Sequence, residues 1–363
     1  MSKRLIIAGG GTGGHIFPAI AIANAIKHAE PTADILFIGA KGKMEMEKVP
    51  QAGYRIEGLD IVGFNRSALW KNISLPYKLI KSFFQVRQIF SSFKPTAVIG
   101  VGGYSTFPVL RYAQSVGIPT FIHEANSFAG KSNILLGKKA TKIFVGSQGM
   151  EQFFPADKIM LSGNPVRAVI EQNYLTRNEA LAFFKLDTSK TTILVVGGSL
   201  GAASINNALL EHLDAFDKNN LQLIWQTGKT NANQYKAAAA SFSNIWVDTF
   251  ITQMEYGYAA ADIVVSRAGA MAVTELCVTG KAAILVPFPF AAEDHQTANA
   301  MQLVNHGAAI IIKDAAAKVQ LVNAVIALSN NPAEQEQMKS QIKKLALRNA
   351  AEFVATEILQ TVS

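Results

Sequence analysis

A single cysteine, Cys277, stands in 363 residues, so no internal disulfide can brace the chain. That usage is compatible with a reducing compartment, and Cys277 reads as a buried helix residue. No stretch reaches the roughly eighteen uninterrupted apolar residues of a membrane span, and the longest candidate, AAILVPFPFAA, is cut by Pro287 and Pro289. Zinc-knuckle spacings and the aromatic pattern of RNA-recognition sheets are missing too. The net charge of +8 therefore points to nucleotide phosphates or anionic lipid ahead of nucleic acid. Lys3 and Arg4 before an apolar run imitate a secretory leader, but glycines and a histidine break that run, so export is not expected. A chain of this length with 49% hydrophobic residues is too long for one ordinary core, and two domains are expected.

Acidic residues are absent from residues 64–93, where Trp70, Tyr77, Phe83, Phe84 and Phe90 interleave with Arg66, Lys71, Lys78, Lys81 and Arg87. An amphipathic helix with a solvated basic face accounts for part of this pattern. A surface that settles on anionic lipid headgroups accounts for the rest.

What the sequence has in plenty is glycine at strand ends. Five of the seven residues in GGGTGGH, residues 9–15, are glycine, and they join the strand-like LIIA to the helix-like IFPAIAIANAI. Glycine there permits positive φ and close approach of another molecule to the backbone. A helix starting near Gly14 would aim its N–H groups and positive dipole end at a phosphate, with Pro18 in the first turn. Gly9, Gly11 and Gly14 also satisfy the dinucleotide fingerprint, and a tight turn alone would use the same glycines. His15 at the loop mouth is suited to acid–base work near neutral pH. The second strand, ILFIGA, ends in Ala40, Lys41 and Lys43 instead of the acid that NAD ribose requires, which disfavours NAD and weakens NADP.

Strand and helix patterns alternate onward, as in an α/β parallel sheet. TAVIGVGGYSTFP repeats the strand–glycine–helix logic, and IPTFIHEANSFAG ends a buried strand in His123, Glu124 and Asn126. Strand ends of this kind hold ligands in open α/β sheets, although an internal His–Glu tie between loops is equally compatible. GNPVR, ending in Arg167, marks a boundary. ILVVGGSLGAASINNALLEHL then restarts the opening unit as a degenerate internal repeat. Two Rossmann-like domains with glycine loops facing a cleft are expected: residues 1–163, residues 164–340, and a terminal helix over residues 341–363 packing back on the first. From about Pro332 the chain reads as one long amphipathic helical stretch.

Taken together, GGTGGH, GGYST, HE-x-N, GNPVR, GGS-x-GA, an FI pair before an aromatic-and-alanine helix, R-x-GA-x-x-V-x-E and VPFP with DHQ-x-x-NA resemble the MurG family of glycosyltransferases over nearly the whole chain. The resemblance implies the GT-B fold and a UDP-sugar-dependent hexosyltransferase. Such an enzyme adds N-acetylglucosamine to undecaprenyl-diphosphate-linked muramyl-pentapeptide at the cytoplasmic face of the bacterial inner membrane. It implies no cofactor and no metal, UDP-N-acetylglucosamine being a substrate. Carried onto this sequence, Ser199 and its loop hold the diphosphate, Glu275 the ribose hydroxyls, and the Ile251 backbone the uracil. Ala270, Met271, Ala272, Val273 and Thr274 line the same helix start. Gln296 and Asn299 face the sugar, while Asn126, Arg167 and Thr12, Gly13 and Gly14 close over the donor. His15 is the expected general base, with Glu124 the alternative. Ala125 and Leu200 depart from the family pattern, each standing where it has glutamine. An NADP-dependent oxidoreductase and a non-catalytic nucleotide-sugar-binding protein are the competing readings.

Overall fold

The computed structural model describes residues 3–62, 75–172, 174–198 and 200–362. The chain divides into two compact units, one of the described residues up to Arg167 plus those from Asn349 onward, the other spanning Ala168–Arg348.

The first unit carries a seven-stranded parallel sheet in the order β3-β2-β1-β4-β5-β6-β7. Its strands are β1 (Arg4–Ala8), β2 (Asp34–Ala40), β3 (Arg55–Leu59), β4 (Ala97–Gly100), β5 (Thr120–Glu124), β6 (Lys142–Val145) and β7 (Ile159–Leu161). The central strands are buried on both faces, so they read as continuous apolar runs instead of alternating ones. Ile6 of β1 lies between Leu36 of β2 and Val98 of β4, and all three are buried.

The second unit repeats the plan with six parallel strands in the order β10-β9-β8-β11-β12-β13. These are β8 (Thr191–Val196), β9 (Leu221–Gln226), β10 (Ile245–Asp248), β11 (Ile263–Ser266), β12 (Ala282–Leu285) and β13 (Ile310–Ile311). In each sheet the first strand sits in the middle, flanked by the second and fourth. This 3-2-1-4-5-6 order is the doubly wound Rossmann arrangement, whose ligands lie beyond the carboxyl ends of the strands. The internal repeat seen in the sequence is thus a repeat of topology.

Three local expectations change. The first helix, Gly13–Ala29, begins early enough that Pro18 falls in its second turn. Without an N–H, Pro18 cannot donate to the Gly14 carbonyl, so its placement costs the helix one bond. The stretch from Pro332 is two helices, Pro332–Lys344 and Ala350–Thr361. The first ends at Lys344, and Asn349 at φ 55°, a left-handed conformation, stands just before the second and accepts from Phe353 N–H at 2.9 Å. The first of these helices belongs to the second unit, and the second packs on Gly13–Ala29 in the first. The unit divide at Arg167 likewise falls a few residues after the expected position 163.

Candidate active site

In the first unit the site residues gather beyond the carboxyl ends of β1, β4 and β5. The loop after β1 is tied on both sides. Gly10 N–H donates to the Gly102 carbonyl at 3.2 Å, and a Cβ on Gly103 would stand 2.3 Å from the Gly10 carbonyl oxygen. Gly102 is at φ +94°, and a Cβ there would meet the His15 ring at 2.8 Å, so bare glycine backbone forms the seat of the imidazole. His15 Nδ1 lies 3.1 Å from the Gly10 carbonyl oxygen. A carbonyl can only accept, so in the neutral ring Nδ1 carries the proton and Nε2 the lone pair. His15 is half-buried at the start of Gly13–Ala29, whose N-terminus has no side-chain cap and no acid in its first turn.

The residue that sequence reasoning missed here is Glu45. Its carboxylate accepts from Gly11 N–H at 2.8 Å and from Ala40 N–H at 3.0 Å. Gly11 is the fingerprint glycine whose backbone a dinucleotide pyrophosphate approaches, and a buried carboxylate already holds its N–H. The expected phosphate over that part of the loop is displaced by this internal anion, which weighs against the NADP reading. Lys41, at the end of β2, pairs instead with Asp60 at 3.0 Å.

Glu124 is buried, and both its oxygens are engaged. Oε1 accepts from Asn126 N–H and Nδ2 at 3.1 and 3.3 Å; Oε2 accepts from Gly130 N–H and Asn133 Nδ2 at 3.0 and 2.8 Å. Four donors on one carboxylate fold the loop after β5 around it, whereas His123 contacts the Gly163 carbonyl at 3.4 Å, so the expected His–Glu pair between two loops is not formed. His123 beside it is 1% exposed, and burial pushes its pKa down to about 4. It stays neutral near pH 7. Ala125 is buried, its carbonyl accepting from Asn164 Nδ2 at 3.1 Å. The Arg167 guanidinium lies 5.5 Å from the centre of the Phe17 ring, which places it by the first helix. A Cβ on Gly13 would meet that ring at 3.1 Å.

In the second unit the expected donor-site residues lie beyond β8, β9, β11 and β12. Gly201 and Gly228 touch backbone to backbone: a Cβ on Gly201 would lie 2.1 Å from the Thr227 carbonyl oxygen. Gln226, at the end of β9, donates from Nε2 to the Gly198 carbonyl at 3.1 Å and accepts from Ile251 N–H at 2.9 Å. One buried amide so joins the two loops expected to hold diphosphate and uracil. Because the Ile251 N–H is engaged, its carbonyl is the group that would accept from a uracil N–H. Ser199 lies outside the described residues. Leu200 next to it is exposed and fills no pocket in its own unit.

Glu275 sits in the second turn of Ala270–Thr279, and its Oε2 accepts from Tyr258 O–H at 2.9 Å. The helix start, with Ala270, Met271, Ala272, Val273 and Thr274, has no side-chain cap. Thr274 Oγ1 donates back to the Ala270 carbonyl at 2.9 Å. Asn299 is buried and donates to the Ala268 carbonyl at 3.1 Å, so it braces this turn from behind. Gln296 accepts from Phe288 N–H at 2.9 Å through Oε1, leaving its Nε2 as the end that can face a ligand. A further unforeseen knot, Arg267 with Asp314 at 2.5 Å and Ser204 at 3.1 Å, fastens the loop after β11 to the start of Ala203–Leu210. Cys277 is buried in the same helix as Glu275, and burial pushes its thiol up to about 12.

Among the described residues no three His, Cys, Asp or Glu side chains cluster so as to hold a metal ion. No helix among them is long and apolar enough to cross a membrane. The helix Leu75–Phe93 splits into two faces. Val86, Phe90 and Phe93 are core residues, so Phe90 leaves the expected lipid-facing set, whereas Tyr77, Ile80 and Phe84 are exposed. Lys81 pairs with Asp60 at 2.9 Å, and its ammonium and that of Lys41 hold the Asp60 carboxyl down at about 2. Arg66, Trp70 and Lys71 lie outside the described residues.

The glycosyltransferase family 28 N-terminal domain matches residues 5–145, and the glycosyltransferase family 28 C-terminal domain matches residues 192–354. A Phocaeicola vulgatus protein named UDP-N-acetylglucosamine–N-acetylmuramyl-(pentapeptide) pyrophosphoryl-undecaprenol N-acetylglucosamine transferase is 50% identical, covering 98% of this chain and 96% of its own. A protein of the same name from Parabacteroides distasonis is 48% identical, covering 99% and 98%. The crystal structure of Acinetobacter baumannii MurG superposes with a TM-score of 0.79 at 30% identity, covering 99% of both chains. The two parallel-sheet units are those of the GT-B fold, and the chain belongs to glycosyltransferase family 28, in the MurG family.

Proposed function

We propose that this chain is an inverting hexosyltransferase that moves N-acetylglucosamine from UDP-N-acetylglucosamine to the C4 hydroxyl of undecaprenyl-diphosphate-linked N-acetylmuramyl-pentapeptide, a step of peptidoglycan synthesis. The observation that carries the reading is 50% identity, over 98% of the chain, to a transferase named for this donor and acceptor.

In this reading the second unit holds the donor. The Ile251 carbonyl accepts from uracil, and the Glu275 carboxylate accepts from the vicinal ribose hydroxyls, held in place by Tyr258. The diphosphate lies at the uncapped starts of Ala203–Leu210 and Ala270–Thr279, where amide dipoles favour an anion. The Gln296 amide nitrogen faces the sugar, and Asn299 keeps the turn beneath it in place. No metal and no cofactor enter the proposal.

The first unit supplies the base. As the acceptor O4 attacks the anomeric carbon, the O4–C1 bond forms and the bond from C1 to the diphosphate oxygen breaks. The electron pair leaves on UDP, and the hydroxyl proton passes to His15 Nε2. Nε2 can take it because Nδ1 already donates to Gly10. The charge growing on UDP is met by the helix starts and by Arg167. Glu124, with four donors on its two oxygens, is the weaker candidate and is assigned to shaping the loop that carries Asn126.

The acceptor's polyprenyl tail stays in a bilayer, so the enzyme has to meet it at a surface. We assign this docking to Tyr77, Ile80 and Phe84 with the neighbouring Lys78 and Arg87, at the cytoplasmic face of the inner membrane, without nucleic acid. Incubation with radiolabelled UDP-N-acetylglucosamine and a short-chain lipid-linked muramyl-pentapeptide tests the function. Label should move into the lipid fraction with a β-configured bond. Absence of transfer together with an NADPH fluorescence change would instead favour the oxidoreductase, and binding of UDP-sugar without any transfer would favour a non-catalytic protein.

A further inference from the structure

We infer that Glu45, far from the reacting atoms in sequence and outside every motif of the site, is a positioning residue that sets the orientation and tautomer of His15. The inference rests on the reading of His15 as base. Glu45 is 1% exposed, at the start of a short helix, Glu45–Gln51, after β2. A buried carboxylate needs hydrogen-bond partners to offset the loss of water. Glu45 finds two backbone amides, Gly11 N–H on the catalytic loop and Ala40 N–H at the end of β2. Charge-assisted bonds of this kind are about twice as strong as neutral ones.

The glycines around it follow the outline of that carboxyl. A Cβ on Gly10 would lie 2.2 Å from the Glu45 carboxyl carbon, and one on Gly39 would lie 2.5 Å from its Cγ. Gly10 is thus confined on one side by Glu45 and on the other by Gly103, while its N–H is held by Gly102. The only polar atom Gly10 has left is its carbonyl, which points at His15 Nδ1. Glu45 therefore fixes the loop, the loop fixes the Gly10 carbonyl, and the carbonyl keeps the imidazole proton on Nδ1. The same Nδ1–H···O contact strengthens once the ring has taken up a proton, so it holds the product of the transfer as well as aiming Nε2.

The test is a double-mutant cycle of Glu45→Gln and His15→Ala on the full-length enzyme, with kcat, donor KM, UDP affinity and the pH profile of kcat measured for each. The glutamine keeps the shape but turns an NH2 group toward one of two amides that need acceptors. Expected for Glu45→Gln is a fall in kcat of about tenfold to a hundredfold, the scale of a base displaced by a fraction of an ångström. The acidic limb of the profile should move to lower pH, UDP affinity should hold, and no further loss should appear in the His15→Ala background. A folded Glu45→Gln enzyme with wild-type kcat and pH profile overturns the positioning role, as does a loss that adds in full to that of His15→Ala. If His15→Ala itself turns over normally, the base assignment fails instead, and the two failures are told apart. Should Glu45→Gln not fold, Glu45→Asp, which keeps the charge one methylene short, is read in the same assays; an unchanged pH profile there, or failure of both variants to fold, makes Glu45 a folding residue and overturns the inference.

Discussion

Replacing Glu275 with alanine removes a carboxylate that accepts from Tyr258 and, in the proposed complex, from the two ribose hydroxyls as well. Tyr258 O–H donates to Oε2 at 2.9 Å, and Tyr258 is only 4% exposed, so the substitution deletes a hydrogen bond in a nearly buried setting. That loss is expected as a stability cost of about 1–3 kcal/mol. Bonds to a charged group contribute about 1.5–3 kcal/mol each, and water recovers part of that, so losing the ribose pair should weaken UDP binding by about 2–4 kcal/mol, or roughly thirtyfold to a thousandfold. A purely helix-stabilising role predicts far less. Glu275 is in the second turn of Ala270–Thr279, and dipole effects fade within the first, leaving well under about 1 kcal/mol and no effect on affinity. Calorimetric titration of UDP into wild type, Glu275→Ala and Tyr258→Phe separates the two. Tyr258→Phe keeps the carboxylate but frees its rotamer, so its affinity should fall by severalfold only. An unchanged dissociation constant in Glu275→Ala, with a lowered melting temperature, would refute the ribose contact.

Gly201→Ala should abolish UDP binding and destabilise the second unit by about 2 kcal/mol or more, because at φ +82° the new Cβ would lie 2.1 Å from the Thr227 carbonyl oxygen; retention of wild-type affinity would show that the loops can part. His123 is held neutral, its folded pKa of about 4 lying below the roughly 6.5 of the unfolded chain. Between those values only the unfolded chain takes up the proton, so stability should fall as pH drops from about 6.5 to about 4 and level off below, a loss on the order of a few kcal/mol. His123→Gln should flatten that part of the melting profile, and an identical slope in both proteins would place the dependence elsewhere. Changing Ile80 and Phe84 together to serine should lower sedimentation with anionic vesicles by at least tenfold, given about 2 kcal/mol for each apolar side chain buried, while sparing turnover of a short-chain soluble acceptor. Unaltered vesicle binding would leave that face without a role at the membrane. Reversal of Lys81 is a less direct probe, because it would also break the pair with Asp60.

The strands, their glycine loops and the repeat were legible because they are local. A doubly buried parallel strand is a run of β-branched residues, and a glycine loop is a gap in side-chain bulk; both can be read within a dozen residues. What the sequence concealed was the set of partners that turn a loop into a site. Glu45 stands 34 residues from Gly11, Gln226 stands 25 from Ile251, and Arg267 stands 47 from Asp314. Each is an ordinary polar residue until the fold brings its partner to it. Glu124 illustrates the converse. Its position at a strand end made it a candidate base, and only the contacts of Gly130 and Asn133 reveal an acid fully occupied with its own loop. Phe90 erred for a similar reason, since aromatic residues at helical spacing look alike whether they face the core, as Phe90 does, or solvent, as Phe84 does. The misplaced Pro18 and the break at Asn349 concern element boundaries, where single-residue signals compete with tertiary packing.

The central claim is that His15 takes the acceptor proton, and steady-state kinetics of His15→Ala with a short-chain lipid-linked acceptor tests it most directly. Loss of a general base costs about a hundredfold or more, so kcat should fall on that scale while UDP-N-acetylglucosamine affinity, proposed to rest on the second unit, stays within about twofold of wild type. Near-normal turnover, or a defect confined to donor binding, would contradict the account and leave His15 a residue that shapes its loop.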